Sequence, residues 1–422
     1  MKENLVLLKR IRANDDPVLD IEAYERDGGY RALKAAISQH APEEIRSIVK
    51  ESGLRGRGGA GFSTGMKWGF VPMGDDAPRP KFLVCNCDEM EPGTFKDRLL
   101  IERDPHQLIE GMIIAAYAME MDIGYIYCRW AYVEGAEHLK RAIKMAEAKG
   151  YLGKNILGSG LNFELHVKRS AGRYIIGEET ALLNALEGKR GNPRSKPPFP
   201  PVKGLWGKPT IVNNVETFSC VPHIIEQGAQ WFRAQGLRED AGTKIVGVSG
   251  RVNKPGCYEL PMGVPLMDII DDQCGGMQPG YKIQSIIPGG ASTNFMTPDE
   301  FNTPMDFAGM ESVGNRLGTA AVMVIDDKTS LVGFLAKLMQ FFAQESCGWC
   351  TPCRDGLPWL HGIIQSFVSG DGRIEELGIA LEQSGPIERT SFCALAPGAI
   401  GPLRSAINKF RHCFEDMALG NI

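Results

Sequence analysis

The sequence lacks an apolar run long enough to cross a bilayer. Its most apolar stretch, LIEGMIIAAYAM, is short and contains Glu110. The N-terminal segment MKENLVLLKRIRANDDPVLD has no long apolar core and carries acidic residues early, which argues against a signal peptide or a transit peptide. We therefore expect a cytoplasmic protein that does not insert into a membrane directly and that reaches one only through partners.

An excess of positive charge is also missing. Lys and Arg total 47 against 51 Asp and Glu, so the formal net charge is −4. There is no basic run and no interleaving of aromatic with basic residues, so we expect no nucleic-acid partner. With 43% hydrophobic and 23% charged residues, the composition is typical of a soluble globular enzyme. A length of 422 residues predicts two or three domains.

Cysteine, in contrast, is present in quantity. Eleven cysteines in a reducing compartment indicate metal or redox sites rather than disulfides. Cys85 and Cys87 fall in the strand pattern KFLVCNC, where alternation places both on one face, and packing is favoured over metal binding there. Five scattered cysteines are interpreted as core or incidental thiols: Cys128, Cys220, Cys257, Cys274 and Cys413.

Three kinds of pattern follow one another along the chain. Up to about residue 240, strands such as KFLVCNC, IGYIYC and FELHVKRS alternate with helices, which predicts an α/β domain. Residues 241–327 contain several strand patterns and one short helix, PLMDIIDDQ. From residue 328 onward, four helical stretches indicate a small bundle. We therefore predict domains at 1–240, 241–327 and 328–422.

The stretch ESCGWCTPCRDG holds Cys347, Cys350 and Cys353 at C-x2-C-x2-C spacing. Zinc patterns usually separate two ligand pairs, whereas this run matches the opening of bacterial iron–sulfur motifs. No fourth cysteine follows closely, so the remaining ligand must be distant in sequence. Cys393, in a loop between helical patterns, is favoured over Cys413, which lies within one. We interpret the set as a four-iron cluster, with zinc and a redox dithiol as alternatives.

The loop GLRGRGGAGFSTGMKW contains a formal G-x-G-x-x-G, formed by Gly56, Arg57, Gly58, Gly59, Ala60 and Gly61. A helix pattern precedes it where the dinucleotide fingerprint needs a strand, and no Walker A motif follows. Its glycines and basic residues nevertheless suit close approach of the backbone to an anion. A phosphate-bearing ligand is therefore favoured over a plain surface loop.

Three further stretches place polar groups at strand ends or helix starts. They are CDEMEPGTFKDR with Asp88 and Glu91, RYIIGEETA with Tyr174, Gly177, Glu178 and Glu179, and TIVNNVETF with Asn213, Asn214 and Thr217. Such positions suit the hydroxyls of a ribose or ribityl chain at an α/β sheet. Helix capping or compensation of a helix dipole explains the same residues without a ligand, so no stretch alone identifies a cofactor.

Taken in order, these stretches resemble the NADH-binding flavoprotein subunit of respiratory complex I, NADH:quinone oxidoreductase, over nearly the whole chain. The resemblance implies an α/β architecture in which a Rossmann-like FMN- and NADH-binding domain precedes a ubiquitin-like β-grasp domain of the soluble-ligand-binding type. A C-terminal four-helix bundle carrying a [4Fe-4S] cluster follows. The implied reaction is hydride transfer from NADH to FMN, after which single electrons pass to the cluster and on through partner subunits to quinone.

The resemblance also implies roles for individual residues, none of which acts as a catalytic group of its own. FMN contacts fall on Gly56, Arg57, Gly58, Gly59, Ala60, Gly61, Lys67, Asn86, Asp88, Gly177, Asn213, Asn214 and Thr217. NADH contacts fall on Phe62, Lys67, Phe70, Glu91, Tyr174, Glu178, Glu179 and Phe199, with Glu91 and Glu179 positioning the substrate. Aromatic rings there are expected to stack on the nucleotide, and the acids to favour NADH over NADPH. The cluster ligands fall on Cys347, Cys350, Cys353 and Cys393. Ile176 departs from the family pattern, in which Cys is frequent at this position.

The same resemblance implies a thioredoxin-like two-iron subunit and other peripheral-arm subunits of complex I as partners. It implies a location on the inner face of the cell membrane, through the complex. The nearest alternative is a diaphorase subunit of an NAD-linked hydrogenase or formate dehydrogenase, in which the module often carries extensions; the compact length favours complex I. A further alternative is a non-enzymatic β-grasp binding protein with a structural zinc.

Overall fold

The computed structural model describes residues 5–420 and contains a parallel sheet, a mixed sheet and a helical bundle in chain order. The predicted boundaries at 240/241 and 327/328 fall between elements and stay predictions. The first four and last two residues of the outer predicted domains lie outside the described range. Within residues 5–420, no helix combines the length and the apolar character that a membrane span requires.

The first unit is an α/β fold that contains, from residue 5 onward, four strands and twelve α-helices. The strands are β1 (Phe82–Cys87), β2 (Ile123–Cys128), β3 (Glu164–Arg169) and β4 (Thr210–Asn214). The helices are α1 (Lys9–Ala13), α2 (Ile21–Arg26), α3 (Arg31–Gln39), α4 (Pro42–Glu51), α5 (Thr64–Trp68), α6 (Lys96–Arg103), α7 (Pro105–Met119), α8 (Val133–Ala148), α9 (Glu179–Leu186), α10 (Pro200–Lys203), α11 (Val215–Gln227) and α12 (Ala229–Arg233).

The four strands form a parallel, Rossmann-like sheet in the order β3–β2–β1–β4. Successive residues of β1 face opposite sides of the sheet, so Cys85 and Cys87 join the core formed with α7 and α11. The alternate residues Phe82 and Val84 join the core shared with the C-terminal helices. Both thiols are fully buried, as their predicted packing role requires, and the bundle lies against the opposite face of the same sheet.

The N-terminal helices α1 to α3 were not predicted, and a buried carboxylate holds α2 and α3 in place. Glu110 lies inside the apolar α7, where it accepts hydrogen bonds from the Tyr24 hydroxyl at 2.7 Å, from the Tyr30 N–H at 2.9 Å and from the Leu33 N–H at 3.1 Å. A buried carboxylate is tolerated when its oxygens are fully hydrogen-bonded. Glu110, whose charge argued against a membrane span in the sequence, therefore anchors α2 and α3 to α7.

The second unit is a β-grasp fold. Its strands are β5 (Thr243–Gly250), β6 (Gly256–Pro261), β7 (Ile283–Ile287) and β8 (Ala321–Asp326), in the order β6–β5–β8–β7. The central pair β5–β8 is parallel, and the outer strands are antiparallel to it. Two short helices, α13 (Leu266–Asp268) and α14 (Phe307–Ser312), cross between the strands. The predicted helix PLMDIIDDQ continues from α13 as a wider turn at Ile269–Gln273.

The third unit is the helical bundle, with four long helices and a short fifth. These are α15 (Leu331–Glu345), α16 (Thr351–Val368), α17 (Ile374–Thr390), α18 (Leu395–Lys409) and α19 (Arg411–Ala418). The last predicted helical stretch is therefore two helices. The break falls at Phe410, whose backbone leaves the helical region (φ −126°, ψ 34°) while its ring is buried 6.4 Å from that of Phe295.

Candidate functional site

The carboxyl ends of β1 and β4 bring two predicted stretches together. Asn86 and Asn214 are paired in register, and the side-chain amide of Asn86 donates to the carbonyl of Gly177 at 3.0 Å. Asn214 caps α11 by accepting from the Glu216 N–H at 3.0 Å, and Asn213 accepts from the Trp68 indole at 3.0 Å. Polar groups at this edge of a parallel sheet surround the place where α/β proteins bind ligands.

The glycine-rich loop lies beside this edge, between α4 and α5. Gly58 lies so near Asn214 that an added Cβ would come within 3.1 Å of the Asn214 Cβ. Gly59 and Gly61 have φ of +125° and +66°, which favour glycine. A Cβ at Gly61 would lie 2.3 Å from the Phe307 ring of the second unit. The loop is therefore shaped by its backbone, which leaves its N–H groups close to any ligand.

Arg57 and Thr217, two predicted FMN contacts, are engaged within the protein. The Arg57 guanidinium is buried and donates to the Ala241 carbonyl at 2.7 Å, while its N–H donates to the Thr217 hydroxyl at 2.9 Å. The side chain of Arg57 thus points into the junction with the second unit. Ala60 is exposed, whereas the N–H and the side chain of Arg57 are both used within the protein.

Asp88 provides the test of whether this site fits FMN. It is 4% exposed, and within the described chain no donor forms a well-aligned hydrogen bond with either carboxylate oxygen, although the nearby Ser170 hydroxyl and the Arg129 charge partly offset the effect of burial on its pKa. Burial raises the pKa of this carboxyl to about 6. An unpaired buried carboxylate is costly unless a donor reaches it. The hydroxyls of a ribityl chain are donors of this kind, so the residues present fit the flavin.

Two lysines and two glutamates form ion pairs on the other side of the site. Lys67, on α5, donates to Glu179 at 2.8 Å and to the Val212 carbonyl at 2.8 Å. Lys196 lies 3.1 Å from both Glu178 and Glu179. Burial alone would raise the pKa of Glu179, but the two lysines outweigh it and hold the pKa below its ordinary value. Glu178 also caps α9 through the Thr180 and Ala181 N–H groups.

Lys196, in the segment RSKPPFPP, was not predicted as a site residue from the sequence. Nothing in that segment indicated that its ammonium would reach the acids before α9. Two glutamates facing two lysines form a polar, nearly neutral wall that can orient hydroxyl and phosphate groups.

Three predicted aromatic residues remain open to solvent. Phe62, Phe70 and Phe199 are 50%, 53% and 55% exposed, and the rings of Phe62 and Phe70 lie 6.3 Å apart. Large apolar side chains exposed together beside a polar site mark a surface that a flat ring can cover.

Glu91 and Tyr174 meet across the site. The Tyr174 hydroxyl donates to Glu91 at 2.6 Å, and its ring packs edge-on against Phe341 and Phe342 of α15. Burial, followed by the charge of Glu91, raises the pKa of Tyr174 well above its ordinary value, so the phenol keeps its proton. Both residues therefore lie where the parallel-sheet unit meets the helical bundle.

The four predicted cluster ligands line one recess, with about 250 Å³ of empty space that is partly open to solvent. Cys347 follows the end of α15, Cys350 caps α16, Cys353 lies in its first turn, and Cys393 precedes α18. Cys413 lies apart on α19, where it contacts Gln284 and His412. The fold thus brings Cys393, and not Cys413, back to the three-cysteine run.

A four-iron cluster and a single zinc ion require different separations of their four thiolates. In the part of the chain that is described, no group of three or more His, Cys, Asp or Glu is close enough to hold one metal ion. Tetrahedral zinc would bring its thiolates to within about 4 Å of one another, whereas a four-iron cube separates them more widely. Burial raises the pKa of the Cys353 thiol to about 12 and that of Cys393 to about 11, so binding of a metal centre by these thiols is accompanied by loss of their protons.

A short helical turn, Tyr174–Gly177, connects the two sites. Gly177 accepts from Asn86 at the sheet edge, while Ile175 lines the cysteine recess. Ile176 is buried beside Gly191, outside the recess lining. The sheet-edge site and the cysteine recess are thus separated by one turn of backbone, which keeps any electron path between them short.

Three family models match consecutive parts of the chain. Residues 49–223 match the Nuo51 FMN-binding domain, residues 245–295 the SLBB domain, and residues 333–417 the NADH-ubiquinone oxidoreductase-F iron-sulfur binding region. The matched segments fall within the parallel-sheet unit, the β-grasp unit and the bundle, respectively.

Curated relatives are similar over almost their full length. The F subunit of NADH-quinone oxidoreductase from Salmonella typhimurium is 51% identical over 409 residues, covering 96% of this chain and 91% of that one. The F subunit from Escherichia coli is 50% identical over 409 residues, with the same coverage of 96% and 91%. Among solved structures, an NAD+-reducing [NiFe]-hydrogenase in the H2-reduced state is 35% identical, with a TM-score of 0.81, covering 94% of this chain and 66% of that one.

Proposed function

The chain belongs to the family of NADH-quinone oxidoreductase F subunits, and from that premise we propose which of its residues hold NADH, FMN and the iron–sulfur cluster. It is a flavin-dependent NADH dehydrogenase component with FMN-binding and [4Fe-4S]-binding regions. When bound, FMN and the cluster supply the exchange between the two-electron chemistry of NADH and one-electron transfer. The protein's own part is to position these groups and the substrate.

The proposed flavin contacts rest on the unpaired carboxylate of Asp88. This carboxylate is placed to accept from ribityl hydroxyls, and the backbone N–H groups of residues 58–61 to donate to the phosphate, since those of Gly56 and Arg57 have partners within the protein. Asn86, Asn213 and Asn214 line the same edge, although their amides already have partners within the protein. The three asparagine side chains therefore hold the ends of β1 and β4 in place and also face the ligand.

NADH is proposed to bind between the exposed phenylalanines and the acids. Phe62, Phe70 and Phe199 offer rings for stacking, and Glu91 and Glu179 offer carboxylates to the ribose hydroxyls. Lys67 and Lys196 hold Glu179 ionised, which keeps it an acceptor only. A 2′-phosphate on the same ribose would meet like charge, so NADH is preferred over NADPH.

We propose Cys347, Cys350, Cys353 and Cys393 as the cluster ligands, with the turn Tyr174–Gly177 as the segment that separates flavin and cluster. The convergence of these four thiols, together with contact of the same turn with both sites, is the observation that carries the proposal. Trp349 and Phe392 line the recess and are 59% and 41% exposed, so this side of the recess is accessible to the next electron carrier.

As a component of complex I, the chain works with partner subunits of the peripheral arm. We propose a thioredoxin-like two-iron subunit as one partner, and attachment to the inner face of the cell membrane through the complex. The hydrogenase likeness keeps the diaphorase alternative as a second candidate. The higher identity and fuller coverage of the NADH-quinone oxidoreductase relatives favour complex I.

The test is to purify the native assembly anaerobically and to measure FMN, iron, sulfide and zinc per chain, together with NADH–ferricyanide activity. We expect one FMN, four irons from this chain's cluster and activity with NADH. Zinc without flavin would support the β-grasp binding protein instead. Co-purification of quinone-linked membrane subunits supports complex I, and co-purification of a nickel–iron subunit supports the diaphorase.

A further inference from the structure

The side chain of Glu91 is held from two sides by different units of the fold. One carboxylate oxygen accepts from the Tyr174 hydroxyl at 2.6 Å, and the other accepts from the backbone N–H of Ser292 at 2.7 Å. Ser292 belongs to the β-grasp unit, in the loop 288–292 that follows β7. Two donors on two different oxygens fix both the position and the rotation of a carboxylate.

The loop 288–292 is itself built as a rigid support. The Gly290 N–H donates to the Ala321 carbonyl of β8 at 2.8 Å, and the Thr293 hydroxyl donates to the Gly290 carbonyl at 2.9 Å. The Arg316 guanidinium donates to the Ser292 carbonyl, in the next peptide group along the chain. Hydrogen bonds to β8 and to the following residue Thr293 thus hold the loop in place, and the direction of the Ser292 N–H is fixed.

Gly290 lets this contact form. Its φ is +96°, and a Cβ there would lie 2.6 Å from Glu91 Cγ and 2.9 Å from Glu91 Oε1. A side chain at this position would be strained in its backbone and would also occupy the place of the Glu91 side chain. The approach of the two segments therefore depends on glycine.

We propose that the β-grasp loop 288–292 is a positioning element of the NADH site, in which the Ser292 N–H and the bare backbone of Gly290 hold Glu91 in the orientation that receives the substrate. This rests on the proposed role of Glu91 in binding NADH. The β-grasp unit then acts on the reaction of the neighbouring unit by shaping its substrate site. Ser292 and Gly290 are positioning residues, since they act through Glu91.

The experiment measures flavin reduction by NADH in the purified holo assembly carrying Gly290→Ala. The dependence of the rate on NADH concentration gives a Kd and a limiting rate separately. We expect the Kd for NADH to rise about tenfold, because a hydrogen bond to a charged group is disturbed. FMN content and the limiting rate should stay near those of the wild type, since the lost interaction orients the ribose rather than the reacting atoms.

Two further variants separate the possible outcomes. Gly314→Ala lies in the same unit at a φ of +66°, with no atom within 4 Å of the added Cβ, and it reports backbone strain alone. Glu91→Gln tests whether Glu91 binds NADH. The double variant Glu91→Gln/Gly290→Ala tests whether the loop acts on NADH binding through Glu91. If the loop acts through Glu91, Gly290→Ala adds nothing further in the Glu91→Gln background.

Three results overturn the inference: an unchanged Kd in Gly290→Ala, an effect equal to that of Gly314→Ala, or full additivity with Glu91→Gln. If Glu91→Gln itself leaves the Kd for NADH unchanged, the assignment of Glu91 fails first, and the loop's role fails with it. Should Gly290→Ala lose FMN, Arg316→Ala replaces it, and an unchanged Kd in that variant then overturns the proposal.

Discussion

Replacing Asp88 by Asn tests the flavin site at the residue where its physical argument is strongest. The carboxylate is buried, and no donor among the described residues forms a well-aligned hydrogen bond with either oxygen. Burial raises its pKa to about 6, against the smaller opposing effects of Ser170 and Arg129. If ribityl hydroxyls donate to it, bound FMN favours the ionised form and lowers that pKa. FMN binding and proton release are then coupled at this one group.

The sign and size of the effect follow from this coupling. Above about pH 6 the carboxyl of the FMN-free protein is already ionised, so FMN affinity should be independent of pH. Below that pH, ionisation must accompany binding, and the affinity should fall about tenfold for each pH unit, or about 1.4 kcal/mol. In Asp88→Asn the carboxylate is absent, so the dependence on pH should be shallower, leaving only the part due to the FMN phosphate, whose second pKa is about 6. Affinity should be roughly 10- to 100-fold weaker at pH 7.5, from the loss of one charge-assisted hydrogen bond.

Released FMN is fluorescent, so dilution of the native assembly at a series of pH values gives its Kd directly. The matched control is Asp76→Asn, an exposed acid in the loop before β1, which should behave as wild type. If Asp88→Asn keeps wild-type affinity, or if the dependence on pH is as steep without the carboxylate as with it, Asp88 does not bind the flavin and the reasoning is refuted.

Three other substitutions give separate checks. Gly61→Ala places a Cβ 2.3 Å from the Phe307 ring at a φ of +66°, so this variant should contain less FMN than the wild type. Its control is Gly74→Ala, which has a φ of +88° but no atom within 4 Å of the added Cβ and should retain its FMN. Equal FMN contents in the two variants would contradict the proposed loop geometry. Glu179→Gln should raise the NADPH-to-NADH ratio of kcat/KM by about tenfold, because a carboxylate that repels the 2′-phosphate is removed. Burial lowers the pKa of His106 from 6.5 to about 4. The free energy of unfolding of the wild type should therefore fall between pH 6.5 and pH 4, by up to about 1.4 kcal/mol per pH unit from this group. In His106→Gln the free energy of unfolding, measured with urea, should fall less steeply over the same range.

Local sequence patterns predicted the parallel sheet and the site that its strand ends form. The strand patterns that end in Cys87 and Cys128 appear as β1 and β2, because buried parallel strands are continuous apolar runs. Cys393 was chosen over Cys413 from the loop before α18, and the fold places it with the three-cysteine run. Resemblance supplied the flavin and NADH assignments, which no single stretch identified.

Contacts between distant parts of the chain were not predictable in this way. The guanidinium of Arg57 appears in sequence as an anion ligand, yet it is buried against Ala241, because the junction of two units provides its acceptor. The hydrogen bond from Ser292 to Glu91 joins residues that are about two hundred positions apart and requires the whole β-grasp sheet to form it. A helix break at Phe410 likewise depends on a ring contact with Phe295.

The most direct test of the proposed electron exit is low-temperature electron paramagnetic resonance of the NADH-reduced assembly carrying Cys393→Ser, compared with Cys413→Ser. The four-iron signal of this chain should be lost or shifted in Cys393→Ser, while FMN remains bound and is still reduced by NADH. Cys413→Ser should retain the wild-type signal. An unchanged signal in Cys393→Ser, or its loss in Cys413→Ser alone, would contradict the assignment of the electron exit to the recess of Cys347, Cys350, Cys353 and Cys393.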